Sequence, residues 1–388
     1  MEEAIVQQHQ HLIESIIKDK FDFEPNDFTF HRFSSGNNNY VYCIDVSVAR
    51  KKSRVARSSC ISTPLTSPIP SDVDKVILRI AKSGVSLIDS VRIRNEVAFL
   101  KLGGEALAPM GNLVPRVYDW SDEGPSATHW ILEEWKHGNA LTKKDFQALG
   151  SQTKQTVMTQ VAQIVGYFQD YSLPEHFIHG GITFDDDGVM FSVEPTIPCG
   201  GPFPNYYLNG WKDVPGLRKR IDAFFDQGLE RVLDGVFEDK PTMIHGDLGL
   251  ANLLFDPATY RITAVLDFNF AHIAHPVSEF LFSFLDFHGF LLSTIEPQGC
   301  LQGLQIKGFP DNTDDLDDTL KVARLWDHSL KDAGNKRPST IPSAELIANI
   351  WWFSQELCEP FWLIERWITS RTKEKLAKTK AQSAAKLD

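Results

Sequence analysis

The chain of 388 residues carries a formal net charge of -12 at pH 7, and 42% of its residues are hydrophobic and 23% charged. This length allows one large core or two moderate ones, and the composition is globular rather than disordered. The acidic balance argues against general nucleic-acid binding, because phosphate backbones bind to basic surfaces.

The cysteines and the most apolar stretches narrow the class further. The five cysteines are scattered and form no C-x-x-C pair, so neither a disulfide framework nor a zinc site is indicated. The segment from Met1 to Phe21 is acidic and amphipathic, unlike a secretory signal or an Arg-rich transit peptide. Polar residues interrupt the most apolar stretch, Phe280 to Leu292, before it reaches membrane-span length. We therefore predict a soluble cytoplasmic protein with neither membrane nor nucleic acid as a partner.

The N-terminal region predicts a helix followed by a hairpin. Apolar residues at helical spacing indicate a helix over residues 2–19, and two β-type runs then surround the polar loop from Ser34 to Asn39. Glycine and asparagine tolerate the backbone angles that bring N–H groups close to a phosphate. Gly36 and Asn37 are therefore candidate nucleotide-binding residues, and an ordinary hairpin turn is the alternative.

Residues 50–74 interrupt this pattern. The segment is basic at its start, then rich in Ser, Thr and Pro, and has no apolar period. Such a composition cannot continue a strand, so it predicts a flexible insertion between two strands.

The next elements complete a small sheet. A strand over residues 76–80 contains the basic residue Arg79, and a helix with an apolar face follows, carrying Glu96. Two more strands are predicted at residues 114–120 and 130–134. A five-stranded N-terminal lobe should therefore end near Trp135.

The remainder reads as mainly helical. Helices are predicted over residues 144–171, 217–237, 274–290, 315–332 and 343–371. A hairpin is predicted at Asp185 to Gly188, whose adjacent aspartates are read as a solvated turn because the EF-hand spacing for calcium is missing.

The stretch from Met243 to Ala271 carries the chemistry. It reads as strand, polar loop, strand, turn and strand, and it places Asp247, Asn252 and Asp267 at strand ends. Magnesium takes hard oxygen ligands and usually only one or two from protein, which Asn252 and Asp267 could supply. Asp247 would then be free to act on a hydroxyl group. The alternative is a β-hairpin whose Asp and Asn residues only make turns.

The spacing H-x-D-x-x-x-x-N from His245, followed by an apolar strand ending in Asp267, resembles the catalytic loop and metal-binding aspartate of the kinase fold. Gly246 and the sequence Asp-Phe-Asn, in place of Asp-Phe-Gly, make it similar to the aminoglycoside phosphotransferase and choline kinase-like family. The resemblance implies an α+β, two-lobed protein-kinase-like fold. Residues 1–135 would form a nucleotide-binding lobe with a small antiparallel sheet, and 136–388 a mainly helical catalytic and acceptor-binding lobe.

The resemblance also implies ATP or GTP and Mg²⁺ as cofactors. Arg79 stands where the family has the cation that contacts the nucleotide phosphates, and Glu96 where it has that cation's partner. Guanidinium and ammonium groups differ in geometry, but either can hold phosphate. The purine base would contact backbone groups of Glu134, Trp135 and Lys136.

For the reaction, the resemblance implies phosphoryl transfer to a hydroxyl group of a small-molecule acceptor. Asp247 would orient that hydroxyl and take its proton, Asn252 and Asp267 would hold magnesium, and His245 would anchor the loop. Glu279 approximates an acidic residue that braces the loop in related enzymes.

Other readings stay open at this stage. The arginine at position 79, Glu279 and the missing glycine after Phe268 allow a catalytically impaired binding or scaffold protein of the same fold. A protein kinase is disfavoured because the A-P-E element is missing. The sequence does not name the acceptor, but the Pro198–Trp211 loop and the aromatic segment from Trp351 to Trp367 are candidates for its pocket.

Overall fold

The computed structural model describes residues 2–33, 38–46, 63–82, 89–122, 128–193, 215–234, 236, 239–291, 299–310 and 317–357. The α-helices are α1 (Glu2–Phe21), α2 (Asp89–Ala106), α3 (Lys143–Ala148), α4 (Ser151–Asp170), α5 (Pro215–Ala223), α6 (Leu229–Leu233), α7 (Ser278–Phe282), α8 (Gly299–Lys307), α9 (Asp318–Asp332) and α10 (Ala344–Leu357). The strands are β1 (Thr29–Arg32), β2 (Asn39–Asp45), β3 (Lys75–Ala81), β4 (Val117–Ser121), β5 (Trp130–Glu134), β6 (Asn139–Ala140), β7 (Gly181–Phe184), β8 (Met190–Val193), β9 (Thr242–Ile244), β10 (Leu253–Phe255), β11 (Ile262–Val265) and β12 (His272–Ala274).

The chain forms two compact units. The first contains Met1–Gly200, Pro241–Phe290 and Thr313–Lys336; the second contains Gly201–Lys240, Leu291–Asn312 and Arg337–Asp388. The first unit thus includes both the predicted nucleotide-binding residues and the predicted catalytic stretch. The lobe boundary that we place at residue 135 stays a prediction.

A five-stranded antiparallel sheet of order β1-β2-β3-β5-β4 lies in the first unit. Its strands are rich in β-branched and aromatic residues, which pack well on a pleated surface. One face buries Tyr42, Ile44 and Leu78 against Ile13 and Ile17 of α1. The predicted opening helix and five-stranded sheet are both confirmed.

Residues 63–74, the second half of the predicted insertion, contact the five-stranded sheet. Thr63 donates a hydrogen bond to Asp119, and the Trp120 indole donates one of 2.8 Å to the Pro64 carbonyl. Ile69 and Val73 pack against the sheet core. These contacts hold residues 63–74 against β4 and the sheet core. The flexibility of the insertion stays a prediction. The remaining predicted insertion, residues 50–62, lies outside the described part of the chain.

The predicted helix over residues 274–290 is also wrong in extent. Only α7 is α-helical; a single 3-10 turn over Leu285–Phe287 follows, because Phe284 and His288 adopt left-handed backbone angles with φ of 67° and 53°. The Phe284 amide donates 3.0 Å to the Leu248 carbonyl instead of continuing the helix. Buried aromatic contacts of Phe284 and Phe287 with Trp326 of α9 hold this turn. The chain after α7 is thereby folded back onto the catalytic loop.

The second unit is helical in its described parts. Between α5 and α6 the helix widens to a π-turn over residues 224–228, and Phe224 packs edge-on against Phe353 of α10. Trp352 donates a 2.9 Å hydrogen bond to the Leu291 carbonyl. The Pro198–Trp211 loop and Trp362 lie outside the described residues, so the predicted acceptor pocket stays a prediction.

Across the described residues, no helix combines the length and apolarity required to cross a bilayer.

Candidate active site

The predicted catalytic loop leaves β9 at His245 and turns sharply at Gly246. Gly246 has φ of +77°, and a Cβ there would lie 2.5 Å from the Phe270 carbonyl oxygen. Only glycine fits such a backbone at such a close approach. The tight turn places Asp247 at the surface immediately after the buried Gly246.

His245 is completely buried and joins both sides of the site. Its Nε2 lies 3.1 Å from the Leu266 carbonyl, and its Nδ1 accepts a 3.3 Å hydrogen bond from the Asp247 amide. This pattern assigns the neutral tautomer with a proton on Nε2. Burial lowers the pKa of His245 to about 4, so the ring stays neutral near pH 7. Its contacts fit the anchoring role that the resemblance implies.

Asp247 and Asn252 lie together at the surface of the loop. Asn252 Nδ2 donates to the Asp247 carbonyl at 2.7 Å and to Asp247 Oδ2 at 2.9 Å. Although Asp247 keeps an exposed face, partial loss of water raises its pKa to about 6, with Asp267 and Asp286 adding to the rise and the Asn252 hydrogen bond opposing it. A general base is most effective with a pKa near the working pH.

Side chains at and after α7 hold the loop by its backbone. Glu279 Oε2 accepts 2.7 Å from the His245 amide, and Oε1 accepts 3.1 Å from the Gly246 amide and a further bond from the Ser283 hydroxyl. Ser283 Oγ accepts from the Leu248 amide, and Asp286 Oδ2 from the Leu250 amide. The geometry places Glu279 where the sequence expects a brace, and it adds two supports that sequence reasoning missed.

A buried charge cluster surrounds Arg79 on β3. Arg79 Nη1 lies 2.6 Å from Glu96 Oε1 of α2, and Nε lies 3.1 Å from Glu133 Oε1 of β5. Nη1 also lies 3.9 Å from Asp267 Oδ1. The structure therefore pairs Arg79 with Glu96, as the resemblance implies, and it adds Glu133 and the neighbouring Asp267 to the cluster.

Burial and charge act against each other in this cluster. Burial alone would lower the pKa of Arg79, but Glu133, Glu96 and Asp267 raise it above its ordinary value. Burial raises the pKa of Glu96, and it raises that of Glu133 to about 7 despite the opposing field of Arg79. One guanidinium group thus serves two buried carboxyl groups at once.

Asp267 follows β11 and has an unusual backbone, with φ 64° and ψ 68°. Its carboxylate accepts a hydrogen bond from Asn269 Nδ2, and its side chain is 38% exposed. The β10–β11 hairpin places it beside Asn252, because the Leu266 amide donates 2.9 Å to the Asn252 carbonyl. The two predicted metal ligands therefore come from adjacent strand ends.

The segment predicted to bind the purine base has a firm framework. Glu134 accepts hydrogen bonds from Arg116, and Lys136 Nζ contacts Glu134 Oε2 at 3.2 Å and the Asn112 carbonyl at 2.6 Å. The Trp135 ring stacks on Phe33 at 6.2 Å between centroids. The charged ends of Glu134 and Lys136 thus hold this segment in place. Gly36 and Asn37 lie outside the described residues.

Donor chemistry tests whether the implied cofactors fit. Asn252 uses its amide nitrogen for both hydrogen bonds to Asp247, which leaves its Oδ1 as a hard ligand together with the Asp267 carboxylate. Mg²⁺ usually takes only one or two ligands from protein, and these two oxygen donors would supply them. Arg79 Nη2 is buried and has no hydrogen-bond partner among the described residues, as expected of a donor reserved for a phosphate oxygen. The residues present fit both Mg²⁺ and a nucleotide.

Comparisons with known proteins place this site in a family. The model of the phosphotransferase enzyme family, APH, matches residues 69–298. No curated protein sequence matches the chain significantly. Among solved structures, APH(2″)-IIa in ternary complex with streptomycin and ATP is 12% identical, with a TM-score of 0.51 over 96% of this chain and 95% of that chain.

Two further solved structures have lower TM-scores. Choline kinase from Cryptosporidium parvum is 15% identical, with a TM-score of 0.44 over 89% of each chain. Ethanolamine kinase from Plasmodium vivax is 12% identical, with a TM-score of 0.41 over 90% of this chain and 89% of that chain. The predicted α+β, protein-kinase-like fold is confirmed. The match to the family model covers more than half of the sequence, and the chain belongs to the phosphotransferase enzyme family.

Proposed function

We propose that this protein is a Mg²⁺-dependent kinase that transfers the terminal phosphoryl group of ATP or GTP to a hydroxyl group of a small molecule. The observation that carries this proposal is the Asp247 carboxylate, which is exposed, is held by Asn252 and has a pKa of about 6. Family membership supports a phosphotransferase acting on a small molecule.

Asp247 is the residue that we assign to the acceptor. Its carboxylate is largely deprotonated at pH 7, yet it is basic enough to take a hydroxyl proton as the new bond to phosphorus forms. Asn252 donates to Oδ2, and this bond restrains the carboxylate in rotation. Since phosphoryl transfer depends mostly on alignment and charge neutralisation, a restrained base contributes through position as well as basicity.

The other residues divide between metal and phosphate. Asn252 Oδ1 and the Asp267 carboxylate would hold Mg²⁺, which when bound neutralises phosphate charge. Arg79 would hold phosphate oxygens, and its ion pairs with Glu96 and Glu133 fix the direction of its guanidinium group. His245 stays neutral and keeps the loop attached to the Leu266 carbonyl.

A panel of hydroxylated small molecules, incubated with purified protein, Mg²⁺ and either ATP or GTP, tests the proposal. We expect one acceptor class to stimulate nucleotide consumption and to gain a phosphoryl group by mass spectrometry. Mg²⁺-dependent nucleotide binding without turnover on any acceptor would favour an impaired binding or scaffold protein. Absence of nucleotide binding would overturn both functions.

A further inference from the structure

Three polar side chains on α2 are buried together. Arg92, Asn95 and Glu96 are 0%, 4% and 0% exposed, and their i, i+3, i+4 spacing places them on one helix face. Buried polar groups require partners, and here those partners belong to the site or its flanks. Glu96 contacts Arg79, and Asn95 Nδ2 donates 2.9 Å to the Ala271 carbonyl.

Arg92 makes a contact that the proposed chemistry does not use. Its Nη1 donates to Asn39 Oδ1 at 3.1 Å and to Asn269 Oδ1 at 3.3 Å. A guanidinium group carries only donors, so Asn269 must present its oxygen to Arg92. The Asn269 amide nitrogen must then face the other way, where it donates to Asp267 Oδ1. The direction of this chain of hydrogen bonds follows from donor chemistry alone.

The consequence falls on the Asp267 carboxylate. Its Oδ1 accepts from Asn269 and lies 3.9 Å from Arg79 Nη1, so both interactions engage the same oxygen. The left-handed backbone of Asp267 sets the direction in which its side chain leaves the main chain, and the hydrogen bond from Asn269 limits the rotation of the carboxylate. Without Arg92, the Asn269 side-chain amide could rotate by half a turn and present its oxygen to the Asp267 carboxylate. The two oxygens would then repel each other.

We propose that Arg92 is a positioning residue that fixes the Asp267 carboxylate through Asn269. Through Asn39, Arg92 also links this carboxylate to the start of β2. Asn39 is the last residue of the predicted phosphate loop, which contains Gly36 and Asn37, and the first residue of β2. The inference rests on the proposed function, since it takes Asp267 as a magnesium ligand. Breaking the chain of hydrogen bonds lowers the affinity for nucleotide with Mg²⁺ and leaves metal-free nucleotide binding unchanged.

Calorimetric titration with a non-hydrolysable ATP analogue, in Mg²⁺ and separately in EDTA, measures this difference without turnover. Residues that hold a metal ligand in place typically contribute about 10- to 100-fold to metal affinity. We expect Arg92→Met and Asn269→Leu each to reduce the gain in affinity given by Mg²⁺ by about 10-fold. Asn95→Leu is the matched control: it removes an equally buried amide of α2 whose partners are the Ala271 carbonyl and the Ile182 amide, so it should destabilise the fold and keep the full Mg²⁺ gain.

A double variant tests the route. If Arg92 acts through Asn269, Arg92→Met combined with Asn269→Leu loses no more than Asn269→Leu alone, whereas additive losses would overturn that route. A wild-type affinity that does not depend on Mg²⁺ would overturn the proposed function itself. A wild-type Mg²⁺ gain that both single variants retain would overturn only the role of Arg92. If either variant fails to fold, Arg92→Lys, which keeps one donor, and Asn269→Ser give the same comparison, with the larger loss expected for Asn269→Ser.

Discussion

The catalytic loop and the Arg79 cluster solve the same problem, the burial of charge beside a reaction site, in different ways. At the loop, the Glu279 carboxylate accepts two backbone amides and the Ser283 hydroxyl. At the cluster, Glu96 and Glu133 share one guanidinium group. The loop is held mainly through backbone amides, whose positions the main chain fixes, whereas the cluster depends on side chains alone.

The two regions also differ in how much of their buried charge the protein compensates by itself. Burial raises the pKa of Glu279, and two backbone amides of the loop and the Ser283 hydroxyl oppose this rise from within the protein. Around Arg79 and Arg92, two positive charges face the carboxyl groups of Glu96, Glu133 and Asp267, and burial raises the pKa of Glu133 to about 7. A bound Mg²⁺ ion would supply the missing positive charge. We infer that the protein supports the catalytic loop by itself, whereas the proposed ligands, Mg²⁺ and a nucleotide, would complete the Arg79 cluster.

The largest expected effect is at Asp247. Asp247→Asn keeps the size of the side chain but cannot accept the hydroxyl proton, so kcat should fall by about 10²- to 10⁴-fold while nucleotide affinity is unchanged. In the wild type, kcat/KM should fall as the pH drops below about 6, because protonation of Asp247 removes the base. Asp256→Asn, in the β10–β11 turn, is the control and should leave kcat unchanged. Full turnover by Asp247→Asn would remove Asp247 from the role of base.

Asp267→Ala tests the Arg79 cluster, the region that the proposed ligands would complete. The variant removes a proposed magnesium ligand but leaves Arg79 and Glu96, so nucleotide binding in EDTA should persist. Because losing a residue that only supports a ligand already costs about 10- to 100-fold in metal affinity, the gain in nucleotide affinity from Mg²⁺ should fall by about 100-fold. Titrations with and without Mg²⁺ measure this, and equal weakening in both would indicate general misfolding.

The two regions also differ in how far sequence could predict them. Asp247 and Asn252 stand five positions apart in one loop, and the hairpin that brings Asp267 to them is local, so spacing was sufficient. Glu133 depends on register: it pairs with Ile77, two residues before Arg79 and on the same sheet face. Its one sequence signal was a charged residue directly after the apolar run from Trp130 to Leu132.

Long-range contacts explain the other misses. Arg92 and Asn269 are 177 positions apart, and their bond follows only from the packing of α2 against the segment after β11. Residues 63–74 have a loop-like composition, but Pro64 and Thr63 find partners on β4. The helix over 274–290 ends early because the Leu248 carbonyl competes for the Phe284 amide, which no local pattern reveals.

Glu279→Gln should weaken the support of the catalytic loop. The amide offers one acceptor oxygen where the carboxylate accepts three donors, and its NH₂ group would face a backbone N–H. We expect the free energy of unfolding to fall by about 2 kcal/mol, the order of a lost hydrogen bond to a charged group. Denaturant unfolding measures it, beside Glu105→Gln, whose carboxylate accepts from Tyr171 at an exposed position and should matter less. Equal losses in the two variants would contradict the bracing role of Glu279.

The same substitution at Glu133 should act in the opposite direction. The folded pKa of Glu133, about 7, lies above the ordinary value of 4.5, so its contribution to stability is present below pH 4.5 and is lost as the pH rises through 7. Glu133→Gln removes this loss, so between pH 5 and pH 8 it should keep at least about 1 kcal/mol more stability than the wild type, since each unit of raised pKa corresponds to about 1.4 kcal/mol. The adjacent Glu134 is the matched control. Burial would raise its pKa, but Arg116 and Lys136 lower it, so its contribution to stability is already present above pH 4.5, and Glu134→Gln should lose about the same stability at pH 5 and at pH 8. Unfolding curves at both pH values compare them, and a Glu133→Gln variant that loses stability as Glu134→Gln does would show that Arg79 already satisfies both of its buried carboxylates.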